Sequence, residues 1–133
     1  ETDIQGFDID EAVIRIARQN SVNAGVDKLI HFQQREVAKL SNAHKYGFII
    51  TNPPYGERLE EKEALPAIYG ALGRQFKQLD SWSAYVITSY TDAEKYFGRK
   101  ADKNRKIYNG MLKTYFYSFI GPKPPKKDGR FEK

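Results

Sequence analysis

The sequence predicts an α/β fold, a mostly parallel sheet with helices on its faces and a terminal antiparallel hairpin. Three observations predict it. Short apolar, strand-like runs alternate with helical patterns in the order β-α-β, β-α-β-α. One run, Tyr46-Gly47-Phe48-Ile49-Ile50-Thr51, ends against Asn52-Pro53-Pro54-Tyr55, where two prolines lack the N–H that a sheet requires. Near the C-terminus, two further strand-like runs flank Asn109-Gly110, a strong hairpin dipeptide.

Taken in order, Ile4-Gln5-Gly6-Phe7-Asp8-Ile9-Asp10 reads as a strand running straight into a helix, with Asp10 as N-cap and Glu11 in the first turn. Val13, Ile16, Ala17 and Ala24 give that helix an apolar side, and Gly25 stands where a C′ residue belongs. Leu29-Ile30-His31-Phe32 is a second strand, running on towards Glu36 and Val37. The third, Tyr46 to Thr51, is expected to be buried. Leu65, Ile68, Leu72, Phe76 and Leu79 recur at helical spacing behind Pro66, which suits a first turn. Trp82 to Thr88 is a fourth strand and Ala93 to Phe97 a short helix. Lys106 to Gly110 then meets Met111 to Ile120 in the hairpin. Beyond Gly121 the chain turns Pro- and Lys-rich, so residues 1–121 read as one domain and 122–133 as a frayed basic tail.

At 133 residues the chain is one domain at most, and its 40% apolar and 14% aromatic content suits a packed core. A net charge of +5 and a pI near 9.3 lean towards an anionic partner. Cysteine is absent, which excludes disulfides and thiolate metal sites. His31 and His44 have no partners at metal spacing, so no metal is expected. Nothing reads as a signal peptide or a membrane span, and a cytoplasmic location is the expectation.

The chemistry centres on Asn52, Pro53, Pro54 and Tyr55. A nucleobase amino group, or a glutamine amide nitrogen, is a poor nucleophile because its lone pair is delocalised. It becomes competent when acceptors take its N–H bonds and turn the lone pair towards an electrophilic methyl. The Asn52 side-chain oxygen and the Pro53 carbonyl can be those acceptors, and Pro54 stiffens the turn before substrate arrives. Tyr55 offers a face on which a base can stack. Adenine N6, guanine N2 and glutamine N5 all remain compatible with this motif.

Asp8, at a strand end before a helix, suits a carboxylate accepting from ribose hydroxyls, or else caps the helix alongside Asp10. Ile9 beside it can pack on an adenine ring. Glu36, just past the second strand and next to Val37, either accepts from an adenine amino group or is an exposed loop carboxylate. Arg58 either holds a phosphate or is a solvated charge. Lys95, Arg99, Lys100, Lys103, Arg105 and Lys106 form a basic cluster suited to a nucleic-acid backbone, or a solvated surface.

Gly6-Phe7-Asp8-Ile9-Asp10, Asn52 to Arg58, and Arg105 to Gly110 together resemble the THUMP-linked bacterial RNA guanine-N2 methyltransferases. The resemblance runs from about Ile4 to Gly121 and implies a Rossmann-like methyltransferase fold with S-adenosylmethionine as cofactor. It further implies large-subunit (23S) ribosomal RNA as substrate and an upstream THUMP domain. Asn52, Pro53 and Tyr55 would grip the target base; Arg58, Lys100, Arg105 and Lys106, read from their charge rather than from the resemblance, are the candidate RNA contacts. Asp8, Ile9, Glu36, Val37 and Asn52 would line the cofactor. The family's first strand and Gly-rich cofactor loop are expected ahead of Ile4, which makes this chain the C-terminal part of a methyltransferase domain and inactive by itself. DNA adenine-N6 and protein glutamine-N5 methylation are the alternatives, followed by a non-catalytic RNA-binding module.

Overall fold

The computed structural model describes residues 3–56 and 59–125, within two units, Glu1–Leu40 and Ser41–Lys133. In the first, β1 (Ile4–Asp8) leads into α1 (Glu11–Asn23) and returns as β2 (Ile30–Gln34). The two strands pair in parallel, from Ile4 opposite Ile30 to Asp8 opposite Gln34. Asp10 caps α1 as expected, its side chain accepting from the Ala12 N–H at 2.9 Å. Two closing bonds, Gly25 N–H to the Val22 carbonyl and Val26 N–H to that of Ser21, place Gly25 at C′.

Two expectations are corrected in this unit. The buried residues of α1 are Ile14 and Ser21, seven apart and so on one stripe, while Val13 and Ile16 are exposed. Ala24, the C-cap, is exposed as well. The second strand stops at Gln34, and Val37–Lys39 turn into a 3-10 helix with Glu36 at its N-cap.

The second unit contains β3 (Phe48–Thr51), α2 (Leu59–Gln78), β4 (Ser83–Thr88), α3 (Ala93–Phe97), β5 (Lys103–Asn109) and β6 (Leu112–Phe119). Its sheet has the order β3-β4-β6-β5, with β3 and β4 parallel and β6 antiparallel to both its neighbours. Across the chain, parallel β-α-β pairing is thus followed by an antiparallel hairpin. Tyr117 and Phe119 of β6 are buried, and Phe97 of α3 stacks on Phe119 at 4.0 Å between ring centres. Phe76 of α2 lies 5.5 Å from Phe97, so one aromatic cluster joins both helices to the sheet. Each such buried ring contributes about 1.5–3 kcal/mol.

Four sequence expectations change here. β3 begins at Phe48 rather than Tyr46, because Tyr46 adopts φ 60°, outside the strand region. The strand is not buried throughout: Phe48 and Ile50 are 67% and 77% exposed, both on one face of the period-2 strand. Pro66 lies inside α2 rather than in its first turn. The residues before it, Glu60-Glu61-Lys62-Glu63-Ala64, are good helix formers that carry the helix back to Leu59. The hairpin forms as expected, but its two loop residues are Gly110 and Met111, with Asn109 still paired to Leu112. Gly110 has φ 65°, the glycine-first form of a two-residue loop. Residues 121–125 carry no regular structure, and the rest of the expected tail lies outside the described residues.

Candidate active site

β3 ends at Thr51, opposite Val86, so Asn52 emerges at the carboxyl edge of the second unit's sheet. The chain then turns without regular structure through Pro53, Pro54 and Tyr55. Pro53 is buried and Asn52 exposed, so the pyrrolidine ring anchors the turn while the Asn52 side chain faces outward. Gly56 closes the turn at φ 85°, and a Cβ there would come within 2.8 Å of Leu65 Cδ1 and 2.9 Å of Lys62 Cγ. A residue other than glycine at 56 would meet both backbone strain and α2.

Within the turn, the Tyr55 hydroxyl donates to Asn52 Oδ1 at 2.6 Å. The two residues are therefore brought together, and the amide oxygen already engages one donor. An amide oxygen has two lone pairs, so it can accept a second.

A second set of contacts holds the turn from behind. The Tyr69 hydroxyl, on α2, donates to the Pro54 carbonyl at 2.9 Å and sits 2.6 Å from Thr88 Oγ1. Thr88 Oγ1 in turn accepts from the Tyr90 N–H at 2.9 Å. Since the Tyr69 proton is committed to Pro54, the threonine hydroxyl must donate to the tyrosine. The polar order runs Tyr90 N–H, Thr88, Tyr69, Pro54 carbonyl. Tyr69 and Thr88 are both fully buried, where an unpaired hydroxyl would be costly. Burial, followed by the neighbouring Tyr55, Tyr90 and Tyr117, pushes the Tyr69 phenol up to about 12, against a hydrogen bond from Thr88 that lowers it. It therefore keeps its proton, and its donor, across the physiological range.

Tyr69 and Thr88 are absent from the residues picked out by sequence. Tyr69 lies four residues beyond Leu65 on the buried face of α2 and reads as core; the signal was a hydroxyl that must find a partner inside.

In the first unit, Asp8 and Ile9 lie at the carboxyl end of β1, and Glu36 and Val37 just beyond β2. The Arg35 N–H donates to the Asp8 carbonyl at 2.9 Å, and Gln34 Nε2 to the Ile9 carbonyl at 2.9 Å, tying the two strand ends together. Asp8 Oδ1 accepts from the Asp10 N–H at 2.9 Å, so it takes part in starting α1, the more ordinary of its two expected roles. Ile9 is 66% exposed, and Glu36 is exposed without a capping bond from its side chain.

The basic cluster is not one surface. Arg99 pairs with Asp102 at 2.7 Å and reaches the Ile120 carbonyl, and Lys95 lies over the Tyr96 ring. Lys100 is exposed after α3. Arg105 and Lys106, adjacent on β5, lie on opposite faces of the ribbon. Arg58 lies outside the described residues. Among the described residues, no His, Asp or Glu group is arranged to hold a metal, and no helix is long and apolar enough to cross a membrane.

A family profile described as UPF0020, RMKL-like methyltransferase domain, matches residues 1–117. YpsC of Bacillus subtilis, assigned by name only as an RNA methyltransferase, is 42% identical over 90% of the chain. The ribosomal RNA large subunit methyltransferase K/L of Cellvibrio japonicus is 33% identical over 98% of the chain. The chain spans 31% and 19% of those relatives' lengths. Among solved structures, SMU.472, assigned as a methyltransferase and complexed with SAH, has a TM-score of 0.85 and 40% identity over 92% of the chain and 32% of its own. A Listeria monocytogenes protein assigned from sequence as an N6-adenine-specific DNA methylase has a TM-score of 0.82 and 45% identity over 90% of the chain and 30% of its own.

Proposed function

The chain belongs to the RMKL-like methyltransferase domain family, and from that premise we propose that it carries the target-gripping turn of an S-adenosylmethionine-dependent RNA methyltransferase. The amine we assign is N2 of guanine in 23S ribosomal RNA. The observation that carries this reading is the Asn52 amide on a braced Pro-Pro turn at the carboxyl edge of the sheet, where α/β folds bind their ligands. The ribosomal RNA names of the family relatives support the choice of RNA.

In this reading Asn52 Oδ1 and the Pro53 carbonyl accept from the two N–H bonds of the target amine and rotate its lone pair outward. The braced turn keeps both acceptors fixed, so little reorganisation accompanies the reaction. Tyr55 covers the base. No residue need act as a strong base, because the proton can pass to water after the methyl has moved.

The donor set also fits the cofactor. Asp8 and Glu36 come from adjacent strand ends, with the exposed Ile9 beside Asp8 and Val37 beside Glu36. Carboxylates for ribose hydroxyls and an adenine amino group, with aliphatic surface for a flat ring, suit a nucleoside. When bound, S-adenosylmethionine supplies the electrophilic methyl. Asn52 is assigned to the target amine, which it would present to that methyl. Arg58, Lys100, Arg105 and Lys106 are assigned to the RNA, and an upstream THUMP domain and a cytoplasmic location complete the reading.

Adenine N6 of DNA is the second reading, favoured by the assignment given to the Listeria structure. The deciding experiment is nucleoside mass spectrometry of total RNA from a strain lacking the full-length gene. Loss of N2-methylguanosine from large ribosomal RNA is the expected result. Unchanged RNA overturns the guanine reading and moves the search to DNA adenine, or to protein glutamine.

A further inference from the structure

The β5–β6 hairpin extends past the edge of the sheet that bears the Asn52 turn. Thr88, the last residue of β4, stands opposite Tyr115, whereas β6 begins three residues earlier at Leu112. At about 3.4 Å per residue, the hairpin loop stands roughly 10 Å beyond that edge. Tyr69 joins Pro54 to the same Thr88, so turn and hairpin rise from one end of one sheet.

The hairpin's side chains are organised. Lys106 pairs with Tyr115, and Tyr108 with Lys113. Side chains alternate across a ribbon, so these four share a face on which cation and aromatic ring alternate in both directions. Lys113 Nζ lies 5.4 Å from the centre of the Tyr115 ring. The same face carries Phe119, which packs against Phe76 and Phe97 and is 1% exposed. That covering gives out towards the tip, where Tyr108 is 68% exposed and Met111 fully so. Between positions 103 and 119 the sequence has Lys103, Arg105, Lys106 and Lys113, and neither Asp nor Glu.

Resting on the reading that the substrate is RNA, we propose that this Lys–Tyr face docks the unpaired nucleotides flanking the target base. Tyr108 stacks on a base and Lys106 and Lys113 hold adjoining phosphates, the combination by which single strands are gripped without readout of sequence. The unrelieved positive charge selects a polyanion over a protein surface, and exposed rings select bases that are out of a duplex. The hairpin thereby sets which strand is fed to Asn52.

The test uses the full-length protein and a fluorescein-labelled single-stranded RNA, with titrations repeated over a range of salt. Tyr108→Ala is expected to weaken RNA binding about tenfold, with Tyr108→Phe restoring it. Lys106→Ala with Lys113→Ala is expected to flatten the slope of log affinity against log salt by about 0.7 per lysine. Affinity for S-adenosylhomocysteine, measured calorimetrically, is expected to stay unchanged in all three, showing that the fold is intact. Wild-type affinity and salt slope in the variants overturn the hairpin assignment alone. A wild-type protein that binds S-adenosylhomocysteine but no RNA overturns both this assignment and the RNA reading beneath it.

Discussion

Asn52 and Tyr69 divide the work of the turn: one presents an acceptor outward, the other holds the backbone from inside. Asn52→Ala removes the acceptor from an exposed position, so stability is expected to move little while methyl transfer by the full-length protein is lost. Retained methylation of isolated ribosomal RNA would take Asn52 out of the mechanism. Tyr69→Phe keeps the ring and deletes the hydroxyl that bonds Pro54 and Thr88. Leaving those two buried groups short of a partner is expected to lower stability by about 1–3 kcal/mol. A loosened turn also misplaces the acceptors, and kcat is expected to fall about ten- to a hundredfold, with affinity for S-adenosylhomocysteine held. Denaturant unfolding and single-turnover methylation measure the two effects separately. A loss of stability without a loss of kcat would make the tyrosine structural only.

At the level of elements, α2 is held close to α3 by a small residue. A Cβ on Gly73 would stand 2.0 Å from the Phe97 carbonyl oxygen, which is backbone and cannot rotate away. Gly73→Ala is expected to push the helices apart and cost about 1–3 kcal/mol, seen as a lower denaturation midpoint. An unchanged midpoint would mean that α3 yields freely. Elements whose cause is local were legible beforehand. Asp10 and Gly25 bound the first helix, the sequence predicts the short helix at Ala93–Phe97 where it forms, and the double proline stops β3. What escaped depends on distant partners. The face that α1 buries is chosen by the strands beneath it, and no spacing of Val13 and Ile16 reveals that. Proline favours first turns, which points to a helix start at Pro66, yet strong helix formers ahead of it carry the helix past. Four adjacent residues specify the turn itself, while its brace from Tyr69 and Thr88 spans 15 and 19 positions along the chain.

For the whole molecule, tyrosine protonation sets an alkaline limit. Tyr69 is raised from 10.0 to about 12 by burial, and burial also raises Tyr90 and Tyr117. Each phenol with a raised value holds its proton in the folded chain after the unfolded chain has released it. Stability from this source is therefore complete below pH 10 and declines as pH climbs from about 10 through about 12. Melting temperatures recorded across that interval are expected to fall for the wild type and to fall less steeply for Tyr69→Phe. Parallel curves would mean that the phenol titrates alike in both states.

The bond between Tyr55 and Asn52 has a consequence for selectivity. Before any base arrives, a hydroxyl hydrogen already sits against the oxygen to which the proposed function assigns the target amine. A base bearing an amino group can join or replace that hydrogen with one of its own, a near-even exchange. A base presenting only carbonyl oxygen at the same place has no hydrogen to offer, and its lone pairs would face those of Asn52. On the proposed reading, a base with a carbonyl in place of that amine, such as xanthine in place of guanine, would be turned away by repulsion, and the turn would filter for donors even before the methyl is in position.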